Sequence, residues 1–243
     1  MKLLIVFPVY NEQLVLTDSI KKTVDFCRQN FSSEDTYQVI IVDNNSSDQT
    51  GAIGRKLAED FKEVEYLFLK DKGKGLAWRR GFELYQADFY VFMDVDLAVD
   101  LGALNDLRQA FLAGYDLVIG SRYLPTSRVT RSRQRKLISL GYGLIARLIL
   151  GTKIKDLPCG FKGINNKIKI NILPLIRDNG FFADTEMVIR AERGGYKIKE
   201  IPVNWSEHSE LGRKSSVNLL KTICDYLSKL RQLRITLKTA ERK

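Results

Sequence analysis

The chain has 243 residues, 39 Lys and Arg against 29 Asp and Glu, a formal charge of +10, and an apolar fraction of 44%. That size suits one α/β domain with a sizeable core, and the apolar fraction excludes a disordered chain. The charge points to an anionic partner: a nucleotide, a nucleic acid or a membrane surface. Cys27, Cys159 and Cys224 are widely spaced and form no metal-like pair. They argue for a reducing compartment and against a disulfide framework. Leu3 to Phe7 imitates a signal sequence, but Pro8 and Asn11-Glu12 end it too early. No stretch approaches the roughly 18 apolar residues of a membrane span. The expectation is a soluble or peripheral protein.

In chain order, Leu3 to Val9 reads as a first strand and Pro8-Val9-Tyr10-Asn11-Glu12 as the loop leaving it. A helix over about 14–29 buries Leu14, Leu16, Ile20, Val24 and Cys27. Tyr37 to Val42 is a second strand, ending in Asp43, and Asn44-Asn45-Ser46-Ser47-Asp48 is turn and cap chemistry for a helix over about 49–61. Val64 to Leu69 is a third strand; Lys72-Gly73-Lys74-Gly75 opens a helix to about 86. Phe89 to Met93 is a continuous apolar strand running straight into Asp94 and Asp96. Then come a helix over 101–112, a strand from Tyr115 to Gly120, a basic and apolar segment over 128–150, and a turn-rich loop from Asp156 to Lys162. Helices over 166–177 and 183–194, a strand over 198–205 and a basic amphipathic helix from Ser216 complete the chain. There is no internal repeat. Strands alternating with helices make a nucleotide-binding sheet.

Three strands thus end in candidate functional groups. A carboxylate pair at the end of a buried strand asks for a neutralising cation, and open α/β sheets bind ligands at that end. Oxygen donors favour Mg²⁺ or Mn²⁺, completed by substrate phosphate. A lysine between glycines ahead of a helix suits a diphosphate, although the spacing is not that of a Walker A loop.

Taken in order, Pro8 to Glu12, Val42 to Asp48, Gly73-Lys74-Gly75 with Ala77, Arg79 and Gly81, and Asp94-Val95-Asp96 resemble the inverting glycosyltransferases of family 2, which have the GT-A fold. Gly120-Ser121-Arg122, Asp156 to Lys162, Asp184-x-Glu186 and Pro202-Val203-Asn204-Trp205-x-Glu207 resemble the polyprenyl-phosphate branch, with a lean towards its glucosyl members. The resemblance covers about residues 3–215 and leaves 216–243 as a C-terminal helix. Asp43-Asn44 stands where the family commonly has two aspartates.

The resemblance implies a GT-A fold, a mixed α/β sheet with helices on both faces. It implies a nucleotide-sugar pocket of Pro8, Tyr10, Glu12, Asp43, Lys74 and Asp94, with a metal on Asp94 and Asp96. The implied donor is UDP-glucose, with GDP-mannose second, and the acceptor a polyprenyl phosphate at the cytoplasmic face of a membrane. A phosphate monoester is anionic at neutral pH and asks for cations more than for a base; Arg122, Lys162, Arg213 and Lys214 are the candidates. Asp156, Asp184 and Glu186 are candidate bases or orienting groups. Spacing i, i+2 predicts that only one of the last two points inward. His208, the only histidine, receives no role. Alternatives are a sugar-hydroxyl acceptor and a non-catalytic nucleotide-sugar binder. The basic stretch 126–138 lacks the interleaved aromatics of a nucleic-acid site, so nucleic acid is not an expected partner. Residues 128–150 and the C-terminal helix are read as membrane-interfacial, as core packing, or as docking surfaces for a membrane-embedded partner.

Overall fold

The computed structural model describes residues 1–130, 133–206 and 219–240. Among the described residues nine strands form: β1 (Lys2–Val9), β2 (Thr36–Asp43), β3 (Val64–Phe68), β4 (Phe89–Met93), β5 (Leu117–Ser121), β6 (Arg128–Thr130), β7 (Phe161–Asn165), β8 (Ile198–Pro202) and β9 (Asn204–Ser206). Seven join one sheet in the order β3-β2-β1-β4-β7-β5-β8, and β6 pairs with β9. The central strands run parallel except β7, which is antiparallel to both β4 and β5.

Both faces are covered, as the apolar runs require. Along β1, Leu4 and Val6 point to one face and Leu3, Ile5, Phe7 and Val9 to the other, because successive strand side chains alternate. The first face packs against α3 (Lys74–Leu84), α5 (Arg133–Leu150), α7 (Ala183–Arg193) and α8 (Leu219–Ala240). The second packs against α1 (Leu16–Asn30), α2 (Thr50–Asp60) and α4 (Ala103–Leu112).

The reading of 156–162 as loop is corrected at its end, since Phe161 starts β7. The expected helix over 166–177 is shorter: α6 (Asn166–Asn171) followed by a 3₁₀ turn at Leu173–Leu175, with Pro174 in that turn. The expected strand over 198–205 divides, and β9 leaves the main sheet. Leu230 and Leu233 of α8 are buried and Tyr226, Leu227 and Leu237 pack beside them, so this part of the helix belongs to the core. Residues 216–218, where that helix was expected to start, lie outside the described residues. Among the described residues no helix is long and apolar enough to cross a membrane.

Two consequences of the topology place the site. The chain winds outward from β1 to β3 and then returns to the other flank of β1 with β4, so the switch point lies between β1 and β4. Their pairing stops at Val6 and Phe92, while β1 and β2 stay paired to Val9 and Asp43. Open α/β sheets take their ligands at the carboxyl ends beside such a switch point. Pro8 lies beyond the last β1–β4 pair, where a missing N–H is tolerated.

Candidate active site at the carboxyl ends of the strands

On the β1–β2 side, Asp43 is buried, and its Oδ1 accepts from the Ser46 amide at 2.9 Å and its Oδ2 from the Tyr66 hydroxyl at 2.7 Å. Burial, and then this bond to Asp43, push the Tyr66 phenol well above its ordinary range. Asn11 adopts a left-handed φ of 55° and its side chain accepts from the Ser47 amide at 2.8 Å. The Glu12 amide donates to Thr50 Oγ1 at 2.7 Å. The loops after β1 and β2 are thereby locked together. Tyr10 stays 44% exposed, and Lys72 donates to its hydroxyl at 2.9 Å while lying 4.5 Å above its ring. Asn44, which stands in the family's second aspartate position, accepts the Gly73 amide at 2.9 Å and so fixes the glycine-rich turn.

The glycines of that turn serve a different approach from the one expected. A Cβ on Gly73 would lie 2.2 Å from the Asn179 carbonyl oxygen, and one on Gly75 would lie 2.3 Å from Ala183 Cβ. The amides of Gly75 and Leu76 donate to the carbonyls of Gly180 and Asn179 at 3.1 and 3.0 Å. The start of α3 thus binds the loop before α7, and the amides of Gly75 and Leu76 are committed to it. Arg79 reinforces the contact by donating to the Ile176 carbonyl at 2.7 Å and to the Asn179 side chain.

The Lys74 side chain instead reaches β4. Its ammonium pairs with Asp94 Oδ1 and lies 5.6 Å from the centre of the Phe181 ring. Burial pulls this lysine down, but the charges of Asp94, Asp184 and Asp96 outweigh it and hold the ammonium above its ordinary range. Asp94 is clamped from the other side: a Cβ on Gly160 would lie 2.0 Å from Asp94 Oδ2. Antiparallel pairing explains this closeness, since Met93 at the end of β4 faces Phe161 at the start of β7. After Asp96 the chain reverses sharply; Leu97 has a left-handed φ of 51°, and Asp96 Oδ1 accepts the Ala98 amide at 3.1 Å. A leucine in that region is strained, which marks the turn as a site the surrounding structure over-determines.

Asp94 and Asp96 fit a divalent ion by donor chemistry: carboxylate oxygens at a strand end, one of them already satisfied by a cation. Among the described residues no group of three or more His, Cys, Asp or Glu surrounds a common point. The remaining ligands would therefore be phosphate oxygens and water.

The side formed by β5 and β7 is built around ion pairs. Asp156 is completely buried and takes the Arg122 guanidinium in a two-point bond of 2.8 and 2.7 Å, and the Arg122 amide at 2.8 Å. Burial opposes the charge on Arg122, but the Asp156 bonds and charge overcome it and drive the guanidinium above its usual range. Glu200 on β8 accepts the amides of Lys155 and Asp156 at 3.1 and 3.2 Å, and Arg122 lies 5.7 Å from the Trp205 ring. Lys162, expected to meet a phosphate, is fully buried and pairs with Asp184 at 2.9 Å. Its work is to hold Asp184, whose other oxygen accepts the Thr185 amide at 2.7 Å.

The expectation that one of Asp184 and Glu186 faces inward is corrected. Both are buried, because the first two turns of α7 are enclosed all round. Glu186 binds Arg190 at 2.7 Å and the amides of Arg177 and Asp178 at 3.0 and 3.1 Å, so it shapes the loop that grips α3. Arg213, Lys214 and His208 lie outside the described residues. Burial pushes the Cys27 and Cys159 thiols up to about 12, which removes both as nucleophiles at neutral pH. Sequence reasoning missed Tyr66 and Glu200, and it took Arg79 and Gly160 as parts of motifs without giving either a contact. Only the two glycines flanking Lys74, beyond those needed for a turn, hinted at a close packing partner.

This sheet order, with a carboxylate pair at the switch point, defines a GT-A glycosyltransferase fold. Residues 4–173 match the family description "Glycosyl transferase family 2", and the chain belongs to that family. It is 32% identical over 221 residues to glycosyltransferase AglD of Haloferax volcanii, covering 90% of this chain and 35% of that protein. It is 29% identical to a dolichyl-phosphate beta-glucosyltransferase of Saccharomyces cerevisiae, covering 84% and 66%. It is 30% identical to a polyprenol monophosphomannose synthase of Mycolicibacterium smegmatis, covering 86% and 78%. The chain thus spans about a third of the first relative and about two thirds of the second. In fold, a mannosyl-3-phosphoglycerate synthase of Rubrobacter xylanophilus aligns with a TM-score of 0.67 at 14% identity, covering 99% of this chain and 75% of that one.

Proposed function

We propose that the protein transfers a hexose, with inversion, from a nucleotide sugar to a polyprenyl phosphate at the cytoplasmic face of a membrane. The observation that carries this reading is the state of the candidate bases. Asp156, Asp184 and Glu186 are each committed to a neighbouring cation, with both oxygens of each engaged. A sugar hydroxyl needs a positioned base to take its proton. A phosphate monoester is already ionised, with a second pKa of about 6, and needs a fixed cation instead. Arg122, held by Asp156, is that cation. The names of the yeast and mycobacterial relatives support the same acceptor class.

In this reading Asp43 and Tyr10 take the nucleoside and Lys74 the diphosphate. The acceptor oxygen attacks the anomeric carbon on the face opposite the nucleotide; the new C–O bond forms as the old one breaks and the nucleoside diphosphate leaves. Asp94 and Asp96 would hold Mg²⁺ or Mn²⁺, which would supply neutralisation of the charge that develops on the leaving diphosphate. A fold neighbour, a glucosyl-3-phosphoglycerate synthase, was crystallised with Mn²⁺ and UDP, which supports the assignment of an ion. UDP-glucose is the first choice of donor and GDP-mannose the second. Membrane contact is assigned to α5, where Leu144, Ile145 and Leu148 are exposed on a helix that also carries Arg133, Arg135, Lys136 and Arg147.

The deciding assay offers radiolabelled UDP-glucose and GDP-mannose, separately, with short-chain polyprenyl phosphate. Labelled lipid is expected from UDP-glucose only, and only with the ion. Label in a soluble glycoside would overturn the acceptor; label from GDP-mannose would overturn the donor.

Gly160→Ala tests the clamp on Asp94. The added methyl group has to push the carboxylate aside, and a displacement near 1 Å at a reacting centre costs about 10²-fold. Transfer is expected to fall by that order while the far-UV spectrum is unchanged, and a metal titration should shift to higher concentration. Unaltered metal dependence would show that Asp94 is not held by Gly160.

A further inference from the structure

Lys74 and Asp94 form the most unusual pair in the site. The Lys74 ammonium stands on Asp94 Oδ1 itself. Three further contacts fix that arrangement. The backbone on either side of Lys74 is seated on the Asn179–Gly180 loop, with no room for side chains at Gly73 or Gly75. Phe181 lies against the ammonium. Gly160 backs onto Asp94 so closely that a Cβ there would lie 2.0 Å from its Oδ2. A cation entering alone has to compete with the ammonium for Asp94 and brings no anion to receive it. A cation entering with a diphosphate brings the oxygens that receive it.

We propose that Lys74 is a tethered cation that occupies Asp94 and makes the metal ion and the nucleotide diphosphate bind as a coupled pair, each alone binding weakly. This rests on the reading of Asp94 and Asp96 as the metal carboxylates. It assigns Lys74 a second task beyond contacting phosphate: guarding the site against free metal. Linkage makes the effect reciprocal, so the factor by which UDP or GDP tightens Mn²⁺ equals the factor by which Mn²⁺ tightens the nucleotide.

The test measures Mn²⁺ binding to the full chain from the paramagnetic signal of the free ion, without nucleotide and with saturating UDP or GDP, and compares Lys74→Met, Lys74→Arg and Asp96→Asn with the parent. Methionine keeps the aliphatic stem, and arginine keeps the charge. The parent is expected to bind Mn²⁺ at least about tenfold more tightly with nucleotide than without. Lys74→Met should bind Mn²⁺ alone about tenfold more tightly than the parent and lose most of the coupling, whereas Lys74→Arg should resemble the parent. If Lys74→Met binds free Mn²⁺ no more tightly, or keeps the full coupling, the proposal fails. In that case a loss of Mn²⁺ binding in Asp96→Asn would leave the metal reading standing. If neither the parent nor its nucleotide complex binds Mn²⁺, the metal reading fails and the proposal falls with it.

Discussion

Replacing Asp96 by Asn is expected to lower hexose transfer about 10³-fold while leaving the melting temperature within a degree or two. An ion at a diphosphate leaving group contributes several kcal/mol to the transition state, and each 1.36 kcal/mol is tenfold in rate. Asparagine keeps the shape of the side chain and an oxygen able to accept the Ala98 amide, so the turn after β4 should survive. What is lost is the charge proposed to hold the ion. The loss should appear in kcat rather than in the nucleotide dependence alone, because neutralisation matters most as the diphosphate departs. Transfer by Asp96→Asn that is within a few-fold of the parent, at any metal concentration, would remove this residue from the site.

The second large effect falls on stability. Asp156→Ala strands the Arg122 guanidinium in the interior without its partner, and breaking a buried ion pair from one side costs about 3–5 kcal/mol. For a chain of this size each kcal/mol is worth about 2–4 °C, so a fall of roughly 10 °C in Tm is expected. Removing both charges, as Asp156→Leu with Arg122→Met, should cost clearly less than the two single changes added together, because no buried charge is left unpaired. Additive losses in that double-mutant cycle, read by denaturant unfolding, would show that the pair is not coupled. Activity separates from stability here: the double variant is expected to fold yet transfer poorly, since it lacks the cation assigned to the acceptor.

How far these features were legible in the chain depended on whether cause and effect lay close together in sequence. Asp43, Asp94 and Asp96 sit directly after apolar runs, so strand and candidate site announce each other. The GT-A sheet was readable for the same reason through β4. Beyond it, β7 was hidden. Lys162 and Gly163 look unlike sheet interior, yet Lys162 is neutralised by Asp184 and Gly163 leaves the space that Leu107 and Phe111 fill. Neither partner is near in sequence. The same holds for Arg122 and Asp156, 34 residues apart, which read as two independent functional candidates and are one ion pair. Asp184 and Glu186 misled because helix periodicity assumes a single buried face, and α7 is covered on every side at its start.

The antiparallel strand β7 also bears on how the chain acquires its shape during synthesis. Once β4 has emerged, its free edge displays unpaired amides and carbonyls beside a wholly apolar sequence, Phe89 to Met93. The strand that covers this edge, Phe161–Asn165, is made roughly 70 residues later, several seconds at ordinary translation rates. Through that interval the nascent half-sheet carries the kind of adhesive border that invites intermolecular pairing. The two carboxylates at the end of β4 fall just where such a border would otherwise extend. Besides the chemistry proposed for them, Asp94 and Asp96 are placed to act as charged gatekeepers of an unfinished fold.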